Sequence, residues 1–484
     1  MNARTRDRRV YLAGHPMLFA LLTATRRRPV TRLGGTLLIH DRAAFVAALT
    51  RVPLDRTAAG TTGGAAGRLT DGDLLFDQHG EAHRRSRRTA AETFGAAGVA
   101  RLRPIWQRVF AERLSPLAHG HPVDLVPIAA EAAGATAAAL LNLATDPLTL
   151  ATAARRAADT AARAHLPGLH LPGTTRRAER AAAHLSALVT PSAEGDHEEN
   201  ADAESPRAEN VRADEARPEN TSTEKTGAEK PGTEKTGTAQ AEAAQAEAAQ
   251  AEAAQAEADE DNAEKARIEQ AGATHAYAEQ AGSNRASANR AGAEQTGAEQ
   301  AGAEQAGAEQ AGAGEAGAGL AAMLAVAAIS TTVAALPRAA AWAADAELWG
   351  YADSPALVDE LFRVTAPTPL LPRVAAAGAV LPGGCPVRAG DRMLLVARHA
   401  LDAHHLDPDP EHPMPARIAQ LVFGAGPHAC PGARLARTQL GDFLRALAVH
   451  QPVVVRARAD RHAALPSWRS LVVQAGDQSG QNSR

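Results

Sequence analysis

Cys430 is the residue of this 484-residue chain whose type and surroundings most directly suggest chemistry. It lies in the ten-residue stretch Phe423–Gly432, whose three glycines permit tight turns and the close approach of a flat, bulky group. Pro431 suits the first turn of the helix predicted after it, because the N–H that proline lacks is not needed there. A sulfur at a helix N-terminus lies at the positive end of the helix dipole, which favours thiolate over thiol.

A cysteine held in this way could be a nucleophile, a zinc ligand, an iron ligand or a small apolar core residue. The only other cysteine, Cys385, is distant in the sequence and forms no Cys-x-x-Cys pattern with Cys430, which disfavours a structural zinc site. His428 could serve as the base for a cysteine nucleophile, but a nucleophile does not explain the glycines. A single cysteine taken alone is most often a buried core residue. The choice among these four alternatives therefore depends on the whole ten-residue pattern.

The pattern Phe-Gly-x-Gly-x-His-x-Cys-x-Gly at 423–432 resembles the haem-binding loop of the cytochrome P450 family. The resemblance implies that haem b is the cofactor and that Cys430 is the proximal thiolate ligand of the iron, which favours cleavage of the O–O bond. It also implies that Phe423 shields the sulfur, that Gly424 belongs to the cofactor-binding loop and that His428 hydrogen-bonds a haem propionate.

Two basic sites elsewhere in the chain match haem-binding positions of the same family. His83 and Arg87 are four residues apart, so on a helix they share one face and could converge on one anion. Alone the pair is typical of a solvated basic helix, but it resembles the family's His-x-x-x-Arg helix, whose residues bind propionates. Arg373, which begins a strand-like run, resembles the arginine that binds a second propionate.

The segment Gly319–Pro337 is apolar on every face. Such a pattern predicts a helix central to a large core or, as the less favoured alternative, a membrane span, and we expect the helix to end at Pro337.

Within this helix, Ala327-Ala-Ile-Ser-Thr-Thr332 resembles the family's oxygen-binding motif. Thr331 then matches the threonine that helps deliver protons to dioxygen, and its hydroxyl can bond the Ala327 carbonyl and bend the helix. Ser330 replaces the acid of the motif, and a serine can relay a proton through water but supplies no carboxylate. The alternative is a Ser-Thr-Thr run that only bonds its own backbone.

Glu360 and Arg363 share one face of a helix predicted from about Ser354. Such pairs are common on helix surfaces. This pair nevertheless precedes Cys430 in the order of the family's Glu-x-x-Arg pair, which implies a buried arginine with several hydrogen bonds that braces the haem side of the fold.

Periodicity and capping residues predict the remaining elements. Helices are expected at 15–26, 42–50 after the N-cap Asp41, and 433–448, a hairpin with a Gly-Gly turn at 29–40, and alanine-rich helices at 101–165 with a cap at Asp146 and a break at Pro147. Together with the resemblance they imply a mainly α fold with a small β-sheet region, in which haem lies between the Ser-Thr-Thr helix and the Cys430 helix.

Residues 191–318 differ from the rest of the chain in composition. They contain no Phe, Trp or Leu and follow a five-residue repeat of low complexity, which cannot bury a core. We therefore expect a disordered acidic insert at 191–318 between the two parts of one cytochrome P450-like domain, 1–190 and 319–484. A protein-interaction tether is the alternative for the insert.

The charges are divided in the same way. The insert carries 28 acidic and 10 basic residues, which leaves 41 basic and 27 acidic residues in the remainder of the chain. A basic body suits an acidic redox partner of the ferredoxin or flavodoxin type, although an arginine-rich composition alone is an equal explanation. Nucleic acid is disfavoured because no stacking aromatic residues accompany the arginines.

The resemblance implies a haem-thiolate monooxygenase that inserts one oxygen atom from O2 into a small apolar substrate. The alternatives are a haem-binding protein without turnover and a peroxide-using haem-thiolate enzyme. Two cysteines, no secretory signal pattern and no N-terminal membrane anchor pattern favour a cytoplasmic protein of the bacterial type.

Overall fold

The computed structural model describes residues 2–55, 57–58, 61, 92–165, 173–190 and 298–476. The chain divides into two compact units, one made of residues 1–196 and 305–484 and the other of residues 197–304. Nearly all described residues belong to the first unit.

Helices dominate the described part of the chain. In chain order they are α1 (Ala3–Gly14), α2 (Pro16–Thr25), α3 (Arg42–Thr50), α4 (Ala96–Leu114), α5 (Leu125–Leu140), α6 (Pro147–His165), α7 (Thr174–Val189), α8 (Ala298–Asp345), α9 (Pro355–Thr365), α10 (Ala397–Ala400), α11 (Ala416–Ala419) and α12 (Ala433–Ala448).

The strands form three small sheets. They are β1 (Val30–Leu33), β2 (Thr36–Ile39), β3 (Leu54–Asp55), β4 (Val123–Asp124), β5 (Leu370–Ala375), β6 (Ala379–Leu381), β7 (Cys385–Val387), β8 (Arg392–Val396), β9 (Val453–Ala459) and β10 (Trp468–Gln474). The largest sheet has the order β1-β2-β8-β5-β3, and the others are β4-β10-β9 and β6-β7. Only β2 and β8 pair in parallel; the other pairs within these sheets are antiparallel. The expectation of a mainly α fold with a small β region is confirmed.

Several predicted elements occur where local signals indicated them. Gly34, with φ of 58°, occupies the turn between β1 and β2. The Asp41 side chain accepts a hydrogen bond from the Ala44 amide at 2.8 Å and caps α3. Asp146 likewise accepts from the Thr149 amide at 2.8 Å ahead of α6, which begins at Pro147. These caps and turns depend on contacts between near neighbours, which is why sequence alone predicted them.

Helix α8 is longer than predicted at both ends. It begins at Ala298, before the expected start at Gly319, and continues through Pro337 to Asp345. The expected end at Pro337 is therefore wrong. Proline in a helix interior costs roughly 3 kcal/mol, but the residues after it are almost fully buried, including Ala339 and Trp342. Tertiary packing of this last stretch outweighs the local penalty.

A buried ion-pair network fixes α8 against the N-terminal helix. Arg338 donates from Nε and Nη2 to Asp7 at 2.9 and 2.7 Å, and from Nη2 to the Tyr11 hydroxyl at 2.6 Å. Tyr11 in turn donates to the Thr365 carbonyl at 2.6 Å, and Arg398 lies 3.4 Å from the second oxygen of Asp7. Sequence analysis missed this network, although a lone charge in an apolar helix signals a buried partner.

Residues Gly319–Asp345 of α8 are long and apolar enough to cross a membrane by length and composition alone. Half of the apolar window is nevertheless buried inside the protein. The central helix of a globular core passes the same test, and the buried Arg338–Asp7 pair supports that interpretation.

Helix α12 packs into the core against α4 and α5. The rings of Phe110 and Phe443 lie 5.0 Å apart, and the Gln439 amide donates to the Thr136 hydroxyl at 3.0 Å. Asp442, which is 5% exposed, accepts hydrogen bonds from side chains of α4. These contacts hold the helix that follows the cysteine loop.

Candidate active site

The loop that carries Cys430 is closed on itself by backbone hydrogen bonds. The Cys430 amide donates to the Phe423 carbonyl at 2.7 Å, and the Ala429 amide donates to the Gly426 carbonyl at 3.1 Å. Helix α12 begins at Ala433 with Gly432 as its N-cap, so Pro431 lies just before the helix and not in its first turn as expected. Cys430 itself is exposed and lies two residues before the N-cap. A short, closed loop thus presents the sulfur beside the positive end of α12.

Two glycines of the loop have conformations that other residues rarely adopt. Gly424 has φ of 83° and Gly426 has φ of 72°. A Cβ at Gly426 would also lie 3.2 Å from the Leu49 carbonyl oxygen at the end of α3. Glycine is therefore required for the backbone geometry here and for the close contact of the loop with α3.

Phe423 anchors the start of the loop through its ring. It packs edge-on against Phe362 of α9 with the centroids 5.2 Å apart, and the Arg437 guanidinium lies 4.6 Å above its face. Arg437 is fixed by hydrogen bonds to Asp359 at 2.6 Å and to Gln420 at 2.9 Å. Sequence analysis assigned no role to Arg437. It positions the Phe423 ring and so supports the cysteine loop from the other side.

Glu360 and Arg363 form a buried ion pair, as the resemblance implied. Both side chains are 1% exposed, and Arg363 donates from Nη2 to Glu360 at 2.6 Å and from Nε to both carboxylate oxygens. The remaining guanidinium protons reach backbone carbonyls at Leu401, Leu406 and Asp407.

The Glu360 carboxylate is also bonded on its far side. It accepts from the Asp409 amide at 3.2 Å and from the Met414 amide at 3.0 Å. The pair therefore fixes the irregular 401–414 segment, which leads to the cysteine loop, onto α9. Because every charge is hydrogen-bonded, the desolvation cost of burying the pair is offset.

Arg373 lies in β5, where it pairs with Met393 of β8. Its Nη1 donates to the Pro372 carbonyl at 2.8 Å, but its buried Nε has no hydrogen-bond partner within the described residues. Burial lowers the pKa of Arg373, yet an arginine side chain keeps its proton at neutral pH. A buried cation without an acidic partner fits an anionic group such as a haem propionate.

Ser330 and Thr331 lie in α8, where the predicted hydroxyl-to-backbone bond is present. The Thr331 hydroxyl donates to the Ala327 carbonyl at 2.7 Å, which confirms that expectation. The Ser330 Oγ is buried and has no hydrogen-bond partner among the described residues. It is therefore a polar atom available for a water or another ligand atom.

The other predicted site residues have varied positions. His428 ends a short 3-10 turn, Gly426–His428, of the cysteine loop. His83 and Arg87 lie outside the described residues. The structure thus places Phe423, Gly424, His428 and Cys430 in one loop. The side chains of Thr331 and Arg373 form hydrogen bonds within their own elements, α8 and β5.

Two surface grooves are lined by other residues. One lies between α3 and the α11 region and includes Arg42, Arg51 and Arg417, and the other lies between α6 and α7. Neither contains the cysteine loop or the Ser-Thr-Thr run, so the chemistry of the cysteine loop is the better guide to the site.

Solved structures share this fold over nearly the whole chain. The open cytochrome P450 Eryk from S. erythraea is 18% identical, with 97% of this chain and 98% of that chain covered and a TM-score of 0.56. The cytochrome P450 CYP109B1 from Bacillus subtilis is 14% identical over 96% and 100% of the two chains, with a TM-score of 0.56. CYP109E1 from Bacillus megaterium is 14% identical over 96% and 99%, with a TM-score of 0.57.

A comparison of the sequence with family models gives a match in the C-terminal part of the chain. Residues 354–449, which run from the N-cap of α9 to the end of α12, match the sequence model of the cytochrome P450 family. This match covers the C-terminal part of the chain, which carries the cysteine loop and the Glu360–Arg363 pair. No curated protein matches the chain.

The matched segment and the shared fold are both those of cytochrome P450 proteins, a family that implies a haem cofactor. The residues present fit that cofactor on two structural observations. The cysteine loop offers a sulfur beside a helix N-terminus, and Arg373 offers a buried cation whose Nε has no partner in the described part of the chain.

Proposed function

We propose that this cytochrome P450 inserts one oxygen atom from O2 into a C–H or C=C bond of a small apolar substrate, with haem b held by Cys430. The observation that carries the proposal is the closed Phe423–Cys430 loop at the start of α12, within the residues that match the family. When bound, haem supplies oxygen activation, and thiolate ligation favours O–O cleavage.

The protein's own groups would orient the cofactor and hold its charge. Cys430 would bind the iron and Phe423 would shield the sulfur, because its ring is fixed between Phe362 and Arg437. Gly424 would let the loop approach the macrocycle closely, since no Cβ projects from it.

Four basic side chains would neutralise the two propionates. Arg373 is the best supported of them, because its buried Nε has no partner in the described residues. His428 lies in the cysteine loop itself, and His83 and Arg87 are assigned on their resemblance to the family's propionate-binding helix.

Thr331 and Ser330 would move protons to the reacting oxygen. The Thr331 hydroxyl already donates to the Ala327 carbonyl, so its oxygen can accept a hydrogen bond from a water and hold that water in place. Ser330 Oγ, which is buried and without a partner in the described residues, would extend the relay. No carboxylate stands at this position, so proton delivery would depend on hydroxyl groups and water.

A separate ferredoxin or flavodoxin-type protein would supply the electrons, and the enzyme would be soluble and cytoplasmic. The excess of basic residues outside 191–318 supports an acidic partner, because complementary charge accelerates encounter between two proteins. The same reasoning divides the chain into one catalytic domain, 1–190 with 319–484, and a low-complexity insert, 191–318.

The specific variant that tests iron ligation is Cys430→Ala. Removing the sulfur leaves no thiolate at the loop, so we expect loss of haem and of the red-shifted absorption band that reduced, CO-bound haem-thiolate proteins show. Haem content and the CO difference spectrum of the purified protein measure this. Cys385→Ala, which lies in the separate two-stranded sheet, should retain both, and normal haem content in Cys430→Ala would remove the assignment.

A haem-binding protein without turnover is the second candidate, and the serine at position 330 favours it because the family's acid is missing there. Screening a library of apolar compounds for shifts in the ferric spectrum separates the two. Compounds that shift the spectrum and are then oxidised with a surrogate reductase support the enzyme. Intact haem binding with no oxidised product from any such compound supports the binding protein.

A further inference from the structure

A group of possible metal ligands lies in the turn after α10, away from the cysteine loop. Asp402, His404 and His405 each offer one ligand atom, and these three atoms lie within 4.8 Å of one another. We call these three residues the 402–405 triad. The family's monooxygenase chemistry has no use for them, since they are neither haem ligands nor part of the Ser-Thr-Thr run.

The separations suit one small divalent ion. One ligand atom of each residue lies within 4.8 Å of those of the other two, and His404 Nε2 lies 3.1 Å from His405 Nδ1. Two nitrogen ligands of a tetrahedral zinc ion, each about 2.0–2.1 Å from the metal, are about 3.3 Å apart, which matches this separation. The Asp402 carboxylate lies beside the same His405 ring, with Oδ1 4.0 Å from its other nitrogen, Nε2.

The ligands are partly held in place before any ion binds. The turn is closed by hydrogen bonds from the His405 and Leu406 amides to the Asp402 carbonyl, at 3.1 and 2.9 Å. Arg42 donates to Asp402 Oδ2, which leaves Oδ1 directed to the histidines, and its Nε bonds the Ala400 carbonyl at 2.7 Å.

The His404 ring packs against the ring of another histidine. The His399 ring lies 4.7 Å from that of His404, and His399 Nδ1 is 2.8 Å from His40 Nδ1. A neutral imidazole has the free electron pair that a metal ligand needs.

We propose that Asp402, His404 and His405 form a zinc-binding site with one position left for water. Two imidazoles and one carboxylate are the ligand types that zinc takes in proteins, and three protein ligands leave its fourth position open. The nearby Arg42 cation weakens the site, which makes exchangeable binding more fitting than a permanent structural ion.

Because of where the triad lies, a bound ion would also stabilise the segment that precedes the cysteine loop. The Leu401 and Leu406 carbonyls on either side of it both accept from Arg363 of the buried Glu360–Arg363 pair. An ion that joins residues 402 and 405 would hold this turn closed, and ligands that bind only the folded state raise its stability. Zinc would therefore strengthen the support of the segment that precedes the cysteine loop.

The test uses the haem-loaded full chain after removal of metals with a chelator. Zinc is titrated at neutral pH by calorimetry, and thermal unfolding is followed with and without zinc. We expect one equivalent of zinc to bind and to raise the unfolding temperature. His405→Ala, which changes an exposed side chain, should weaken binding by about 10- to 100-fold or more, since even indirect partners of a metal account for that range.

His412→Ala is the matched control. His412 and Asp409 also form an exposed histidine–aspartate pair three residues apart, with Nδ1 and Oδ2 3.4 Å apart, but they lack the second histidine. This variant should bind zinc as the unmodified protein does. Equal zinc affinity in His405→Ala and the unmodified protein, or no binding by the unmodified protein, would overturn the proposal. Neither result depends on monooxygenase activity, so the proposed function is tested separately.

Discussion

In the proposed function, two hydroxyl groups of α8 would carry protons to the reacting oxygen. Thr331 has a defined partner, the Ala327 carbonyl, whereas Ser330 Oγ is buried without a partner in the described residues. The first arrangement costs little free energy and the second costs about 1–3 kcal/mol, because an unpaired buried polar group loses its hydration. An atom kept at that cost is a good candidate for a role in catalysis.

Thr331→Ala tests the relay at this scale. The variant loses one helix-to-hydroxyl bond that contributes little to stability, so we expect it to fold and bind haem. We also expect that most of the electrons reduce O2 to peroxide, so that little product is formed. The measurement is the ratio of product to NAD(P)H consumed in a reconstituted system, once a substrate is known.

Two further variants separate proton delivery from packing. Ser330→Ala should keep or slightly raise the free energy of unfolding, because it removes an unpaired buried hydroxyl, and should still lower the yield of product per electron. Ser330→Thr retains a hydroxyl and should be nearer to the unmodified protein. An unchanged ratio of product to NAD(P)H consumed in Thr331→Ala would argue against the proposed role of Thr331 in proton delivery.

At the scale of elements, the cysteine loop is held by its neighbours on three sides. Gly426 contacts the end of α3, Phe423 packs on α9, and α12 is anchored in the core through Asp442. The irregular 401–414 segment is tied to α9 by Glu360 and Arg363. The site is therefore positioned by elements distant in sequence.

Glu360→Gln tests the tie between α9 and this segment. It leaves the buried Arg363 cation without its anion, and removing one partner of a buried ion pair typically costs about 3–5 kcal/mol. We expect a fall of that size in the free energy of unfolding, measured by urea denaturation of the haem-loaded protein. Glu131→Gln, which breaks an exposed pair with Arg113, should change stability far less, and equal effects of the two variants would contradict the bracing role.

The anchor of α12 gives a pH dependence with a definite sign. Burial raises the pKa of Asp442, but hydrogen bonds from Arg103, Trp106 and Arg445 lower it by more, so the pKa lies below the ordinary value of 3.8. A carboxyl group whose pKa is lower in the folded state stabilises that state above the unfolded pKa and loses the effect as pH falls.

Asp442→Asn checks this pH dependence. The stability difference between the unmodified protein and the variant should be greatest at pH values above 3.8 and should shrink as pH falls below it. Urea unfolding over a pH series measures this difference. A difference that stays constant through the acid range would show that the ionised carboxylate is not what holds α12.

At the scale of the whole molecule, residues before and after 191–318 build one core. Asp7 and Arg338 form a buried ion pair, α4 and α12 pack together, and β2 pairs with β8. These contacts all lie within the unit made of residues 1–196 and 305–484.

Replacing residues 200–290 with a flexible Gly-Ser linker tests this organisation. A linker of about 20 residues spans roughly 25 Å as a random coil. We expect the shortened chain to keep its haem spectrum and its cooperative thermal unfolding, because the core contacts lie outside the deleted part. Insolubility or loss of haem would show that 200–290 contributes to the fold. Replacing α5, which is buried in the core, with a Gly-Ser linker is the control expected to unfold the protein.

Local signals in the sequence determined much of this protein. The glycines, Cys430 and the following amphipathic pattern predicted the loop and α12, and Asp41 and the Gly-Gly turn predicted α3 and the first hairpin. These features depend on neighbours within a few residues, so the sequence expresses them directly. The family resemblance also anticipated the buried Glu360–Arg363 pair.

Only the tertiary structure decided what depends on distant partners. It extended α8 through Pro337, because burial of the residues beyond it outweighs the proline penalty. It paired Arg338 with Asp7, placed Arg437 over Phe423 and left Arg373 Nε without a partner in the described residues. It also brought Arg42 beside the turn that carries Asp402, His404 and His405. Such contacts join residues far apart in the chain, and their energies arise only when packing brings the two sides together.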